Sequence, residues 1–169
     1  VGKFENWRGD GMIILGFDLS TKYIGWATTD GDGQRIDSGE VKLNGKMLDD
    51  RIIEATAVTA DFCAGHVDII ATESPFVGRN GKTTMALGKL CGVLWANVIL
   101  CTNKTPVECT TSEVKKAMTG SGKADKALMM QMARSRYGLE TVGEHEADAL
   151  GVCLAAIAKI RRLELEALA

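Results

Sequence analysis

The sequence predicts an α/β domain: a mixed five-stranded sheet flanked by helices. Two observations carry that prediction. Two short apolar runs each end on a carboxylate: Met12 to Phe17 leads into Asp18, and Val67 to Thr72 leads into Glu73. Around them, segments of strand character come first and segments of helical spacing dominate later, which is the element mix of an α/β layer architecture.

The elements follow in order. After the first strand, Tyr23 to Thr29 reads as a second, with Ile24, Trp26 and Thr28 on one face. Asp30-Gly31-Asp32-Gly33 marks a tight turn, and a third strand follows near Arg35 to Leu43, completing an antiparallel meander. Met47 to Ala64 places apolar residues at 48, 52, 53, 55, 58 and 62, close to helical spacing. Val67 to Glu73, bounded by Gly65 and Pro75, reads as a buried strand. Thr83 to about Leu100 is expected to be a long apolar helix carrying Leu87, Leu90, Leu94 and Val98. A brief strand near Val107 precedes a cap at Thr111 or Ser112 and a helix from Glu113 to Met118. Gly120-Ser121-Gly122 breaks that helix, Lys123 to Arg136 resumes it, and Gly138 closes it. Glu144 to Ala169 reads as helical to the end.

A chain of 169 residues is ordinarily one domain. The expected division is an N-terminal tail over 1–11, with Met12 as a candidate natural start and added residues upstream, and a single domain over 12–169. No stretch approaches the roughly 18 uninterrupted apolar residues of a membrane span, and the polar start does not resemble a signal peptide. The expectation is therefore a cytoplasmic protein without a membrane partner. Five cysteines with no CxxC pair read as reduced core thiols, and their spacing supports no zinc site.

Net charge is −2, but its distribution is uneven. Between Gly78 and Arg136 there are ten lysines and arginines against three acids, so the basic charge sits in the middle of an acidic chain. That pattern fits a footprint for phosphate, although solvated helix faces produce it too.

The candidate chemistry lies in three acids. Asp18 and Glu73 stand at strand ends, where open α/β sheets place their ligands. In the C-terminal helix, His145 and Asp148 are spaced i, i+3 on one face; Glu144 shares it, and Glu146 does not. Glu144 and Glu146 are adequately explained as acids favoured at a helix N-terminus. Asp148 sits between small residues that pack closely, where an acid needs a partner, and a metal is a good one. Magnesium is held by a few carboxylates together with water and substrate phosphate. Two ions so held can hydrolyse a phosphodiester.

Over Met12 to about Ile160 the chain resembles the RuvC family of Holliday-junction resolvases, within the ribonuclease H-like superfamily. The matching stretches are Gly16-Phe17-Asp18-Leu19-Ser20 with Gly25-Trp26-Ala27, Thr72-Glu73-Ser74-Pro75-Phe76, Leu87-Gly88 with Gly92-Val93, and His145 to Leu150. The most specific is Glu113 to Lys126, with its Val-Lys…Thr-Gly-x-Gly-x-Ala-x-Lys pattern.

The resemblance implies a ribonuclease H-like fold and a homodimeric, magnesium-dependent endonuclease cutting opposed strands of a four-way DNA junction, in recombination and repair or in phage DNA processing. It places Asp18, Glu73 and Asp148 on the catalytic carboxylates. His145 falls where members carry a fourth acid or a histidine, which leaves metal ligation and proton transfer both open. Phe76 matches an aromatic that stacks on bases, and Lys115 and Lys126 match phosphate-contacting lysines. Lys116 and Lys123 join them on chemical grounds alone. The expected mechanism is in-line attack of a metal-activated water, with Asp18 bridging two Mg2+ ions, Mn2+ able to substitute, and Lys126 neutralising developing charge. The products would carry 5′-phosphate and 3′-hydroxyl ends.

Three other readings stay open. One is a broader branched-DNA nuclease of the same fold. Another is a branched-DNA-binding module without cleavage. The third is an actin- or sugar-kinase-type ATP-binding domain, whose first phosphate loop Gly16 to Lys22 is similar to. Cleavage sequence, host or phage origin, and any branch-migration helicase partner are not legible in the sequence.

Overall fold

The computed structural model describes residues 11–75 and 80–168. The proposed tail, but for Gly11, and Phe76 therefore lie outside the described residues. Five strands form one mixed sheet in the order β3-β2-β1-β4-β5. Strands β1 (Ile13–Leu19), β2 (Tyr23–Asp30) and β3 (Arg35–Lys42) are the expected antiparallel meander, and β4 (Ile69–Glu73) and β5 (Val107–Cys109) add to β1 in parallel. Helix α1 (Leu48–Cys63) links β3 to β4, and α2 (Gly81–Thr102) links β4 to β5. Helices α3 (Thr111–Thr119), α4 (Lys126–Tyr137) and α5 (Glu144–Ala167) follow.

Two cores lie on opposite faces of the sheet, and strand alternation assigns each residue to one of them. Leu15, Phe17, Leu19, Ile24, Trp26 and Ile70 pack with Phe62 of α1 and with Leu90, Leu94 and Val98 of α2. Ile14, Ala27 and Ala71 pack with α3, α4 and α5. Fully burying a leucine contributes about 1.5–3 kcal/mol, so Leu90 and Leu94 tie α2 firmly to its layer. Asn97 adds a polar link, donating from Nδ2 to the Thr56 carbonyl (2.9 Å) and the Thr59 hydroxyl (2.6 Å) of α1.

Helix α2 differs from the sequence expectation in one respect. At 22 residues it is long and apolar enough, by length and composition, to cross a membrane. Gly88, Lys89, Gly92 and Asn97 interrupt the run, which is why a count of consecutive apolar residues misses it. One face is core, but Met85 and Leu100 remain 68% and 82% exposed. Cys101 is also exposed, so only Cys63, Cys91, Cys109 and Cys153 are the core thiols that the sequence suggested.

Helix boundaries move by a turn or less, for reasons of capping. Helix α3 begins earlier because Thr110, not Thr111 or Ser112, is its cap. Its hydroxyl accepts from the Glu113 amide, and Glu113 reaches back to the Thr110 amide at 2.7 Å. Helix α4 begins later than expected because Asp125 caps it, accepting from the Leu128 amide at 2.8 Å.

Helix α5 lies unusually close to the sheet, and two glycines allow it. A β-carbon on Gly16 would stand 2.7 Å from the Ala149 carbonyl oxygen and from Cys153 Sγ. One on Gly25 would stand 2.0 Å from the His145 carbonyl oxygen. Both carbonyl oxygens belong to the helix backbone and cannot swing aside. Gly25→Ala is expected to push the start of α5 off the sheet and destabilise the fold by about 1–3 kcal/mol or more, with Gly16→Ala acting similarly. Urea unfolding checks this, and a Gly25→Ala protein as stable as the parent would show that α5 has room to move.

Candidate active site

Strand register builds the first half of the site. Gly16 pairs with Ala71 and Phe17 with Thr72, so the next step along the parallel ladder sets Asp18 beside Glu73. Neighbouring strands run about 4.8 Å apart. Asp18 shares parity with Ile14 and Gly16, and Glu73 with Ala71, so both carboxylates rise from the α5 face of the sheet. Across β2, Asp18 pairs with Gly25, the residue on which α5 rests.

The start of α5 supplies the second half. His145 Nδ1 donates to Asp18 Oδ2 at 2.6 Å, and its ring stacks on Tyr23 with centroids 5.5 Å apart and planes 21° from parallel. The N-cap position is Gly143, which has no side chain to cap the helix. Glu40 of β3 takes that part from across the sheet, accepting from the His145 amide at 2.7 Å and the Glu146 amide at 3.2 Å. Glu146 turns back to the Gly143 amide and accepts from the Ser38 hydroxyl. Glu144 pairs with Lys126. Both acids therefore do more than favour the helix dipole: one ties the α5 start to β3, and the other ties it to α4.

Glu73 accepts from the Thr111 hydroxyl at 2.5 Å. Burial pushes its carboxyl upward, and the Asp18 charge adds to that effect. Asp148 is pushed up to about 7, first by burial and then by the charges of Asp18, Glu73 and Glu144. His145 is raised by its hydrogen bond to Asp18. Three carboxylates thus share one half-buried site, with His145 and two lysines nearby. Lys115 offsets charge at Glu73, and Lys126 is itself raised by its bond to Glu144 and by the Asp148 and Asp18 charges.

Of the residues singled out in the sequence, Asp18, Glu73, His145 and Asp148 come together, with Lys115 and Lys126 at their edge. Lys116 and Lys123 are exposed on the α3–α4 stretch. Among the described residues, no three acidic, histidine or cysteine side chains converge closely enough to ligate one ion as they stand. The donor set nevertheless suits a hard divalent cation, being oxygen-rich and crowded with negative charge. Asp18 is drawn onto His145 by the hydrogen bond between them. The site contacts of Tyr23, Glu40 and Thr111 escape the sequence reading, which takes Tyr23 as a strand residue and Thr111 as a cap candidate. Their partners lie 122, 105 and 38 positions away, and no local spacing reveals such contacts.

A five-stranded sheet in this order, flanked by helices and with α5 laid over its central strands, is the ribonuclease H-like fold. The family model described as "Crossover junction endodeoxyribonuclease RuvC" matches residues 14–156, and the chain belongs to that family. The crossover junction endodeoxyribonuclease RuvC of Erythrobacter litoralis (strain HTCC2594) is 34% identical over 152 residues, covering 85% of this chain and 91% of that protein. The one from Sphingopyxis alaskensis (strain DSM 13593 / LMG 18877 / RB2256) is 32% identical over 151 residues, covering 85% and 95%. Among solved structures, Thermus thermophilus RuvC in complex with a Holliday junction substrate superposes with a TM-score of 0.76. It covers 89% of this chain and 96% of that one at 22% identity, a likeness of fold.

The pKa directions give a pH prediction. A carboxyl raised in the folded state, as at Asp148 and Glu73, stabilises the fold at low pH and loses that contribution as pH rises through the folded value. A raised histidine has the same sign: its stabilisation is full below about 6.5 and is lost as pH rises through the folded pKa. The metal-free protein should therefore melt at a lower temperature at pH 8 than at pH 6. A divalent cation should raise the midpoint more at pH 8, where the acids are ionised. Thermal melts in chelator and in added cation check both signs.

Proposed function

We propose that the protein resolves four-way DNA junctions by hydrolysing phosphodiesters at Asp18, Glu73 and Asp148, using magnesium held by those three carboxylates. The observation that carries this reading is the meeting of the three acids on one face of the sheet, in a chain of the RuvC family. Bound there, magnesium, or manganese in its place, supplies charge neutralisation at the phosphoryl oxygens and an acidified water. His145 sits within hydrogen-bond reach of Asp18, where it either joins the ligand set or takes a proton. Lys126 neutralises charge developing on the phosphate once DNA draws it from Glu144. Lys115, with Lys116 and Lys123 beside it, positions the DNA through its phosphates, and such contacts carry no sequence information. Phe76, three residues beyond Glu73, is assigned to stacking on bases near the branch point. The reading places the protein with the DNA, in the cytoplasm of a bacterial or phage-infected cell, with residues 12–169 as the nuclease domain.

Asp18→Asn, Glu73→Gln and Asp148→Asn should each nearly abolish cleavage of a four-way junction while preserving binding, because they remove cation ligands and leave the phosphate contacts. A gel assay with magnesium on four-way, three-way, flap and linear DNA measures this. The same gel separates a strict junction resolvase from a broader branched-DNA nuclease. Two of the three variants cutting at close to the parent rate would show the site to be elsewhere.

Two active sites are needed to cut two opposed strands, and the reading includes a homodimer. The exposed apolar side chains of α2, among them Met85, Ile99 and Leu100, supply a surface for two-fold pairing. Light scattering at micromolar concentration should give twice the chain mass. Leu100→Glu and Met85→Glu should shift it toward the monomer; a monomeric parent would refute this part of the reading.

A further inference from the structure

We propose that Thr111 is a positioning residue for Glu73, holding one carboxylate oxygen so that the other faces the cation. The inference deepens the proposed function and rests on Glu73 being a ligand. Glu73 stands at the end of β4, where the ladder to β5 is finishing. Its backbone is fixed there, since the adjacent Ser74 amide donates to the Cys109 carbonyl at 2.8 Å. Its side chain has no such restraint from the sheet, and a glutamate has three rotatable bonds with which to turn away from neighbouring charge. The Thr111 hydroxyl removes that freedom by donating to Glu73 Oε1 at 2.5 Å. The hydroxyl is available because Thr111 does not cap its helix. Thr110 does, in a reciprocal pair with Glu113, so the first turn of α3 is built without Thr111's side chain. The same capping fixes the backbone of the first turn of α3, from which the Thr111 side chain projects. Lys115 stands one turn further along α3, on the same face, and also acts on Glu73. Helix α3 therefore presents a donor and a cation to this carboxylate from a rigid, capped start. Carboxylates that ligate metals are commonly held in this way by a further hydrogen bond, and losing it costs about 10- to 100-fold in metal affinity or activity.

The test uses the full chain as Thr111→Val, Thr111→Ala, Thr111→Ser and Glu73→Gln. Binding of Mn2+ alone is followed by electron paramagnetic resonance without DNA, and cleavage of a four-way junction is followed against magnesium concentration. Thr111→Val and Thr111→Ala should bind Mn2+ about tenfold more weakly. They should need correspondingly more magnesium for half-maximal cleavage, with the KM for the junction unchanged. Thr111→Ser keeps the donor and should restore both. Because Thr110 carries the cap, at least one of the two donor-free variants should fold, as far-ultraviolet circular dichroism would report. Parent-like Mn2+ affinity in the folded donor-free variants would overturn the inference, as would a Thr111→Ser protein as weak as they are. Glu73→Gln separates the two levels: if it binds Mn2+ and cuts like the parent, the ligand assignment itself fails. If it is inactive while the donor-free variants are normal, only the role of Thr111 falls.

Discussion

A β-carbon on Gly25 would lie 2.0 Å from the carbonyl oxygen of His145, and one on Gly16 2.7 Å from that of Ala149. The close seating of α5 on β1 and β2 is the constraint on which the rest of the site depends. Its first two turns carry His145 and Asp148, and without that approach neither would come near Asp18. The seating is secured twice over. Glu40 caps the helix from β3, and Cys153 donates its thiol to the Ala27 carbonyl at 3.4 Å deeper in the layer. Burial pushes that thiol up to about 12, so it packs as a small neutral donor.

Bringing three acids to one place has an electrostatic cost, and the local chemistry shows how the fold meets it. Asp148 is pushed up to about 7 by burial and by its neighbours' charges. Asp18 leans on His145, Glu73 on Thr111, and Lys126 on Glu144. These three groups thus each have a partner in the metal-free protein, whereas Asp148 is accommodated by its raised pKa. The Lys126–Glu144 pair is largely exposed and contributes little to stability, which suits the proposed transfer of Lys126 to a DNA phosphate.

The two sheet faces divide the labour. On one, α1 and α2 form a leucine-rich layer whose outer surface stays apolar around Met85 and Leu100. On the other, small residues let α5 come close, and Gly151 lets it meet Val114 of α3 and Met129 of α4, with β-carbon distances of 2.8 and 3.2 Å. The helices bearing Lys115 and Lys126 are therefore locked to the helix bearing Asp148. A shift of α3 would move Lys115 and Thr111 together relative to Glu73.

Much of this was legible in the sequence, because it depended on local signals. Strand runs ending on acids, a Gly-rich turn at 30–33 and helical spacing gave the element order, and the i, i+3 spacing put His145 and Asp148 on one face. The block from Glu113 to Lys126 pointed to the family. What the sequence left undecided were contacts between distant positions. Glu40 reads as an exposed strand acid until α5 arrives over it without a cap of its own. Thr111 reads as a helix cap until Thr110 takes that place and leaves its hydroxyl for Glu73. Tyr23 reads as a strand aromatic until the His145 ring lies against it. Local sequence fixes backbone period and face parity, whereas the partner of a side chain depends on how the layers are brought together. In this protein the separation of α5 from the sheet decided it.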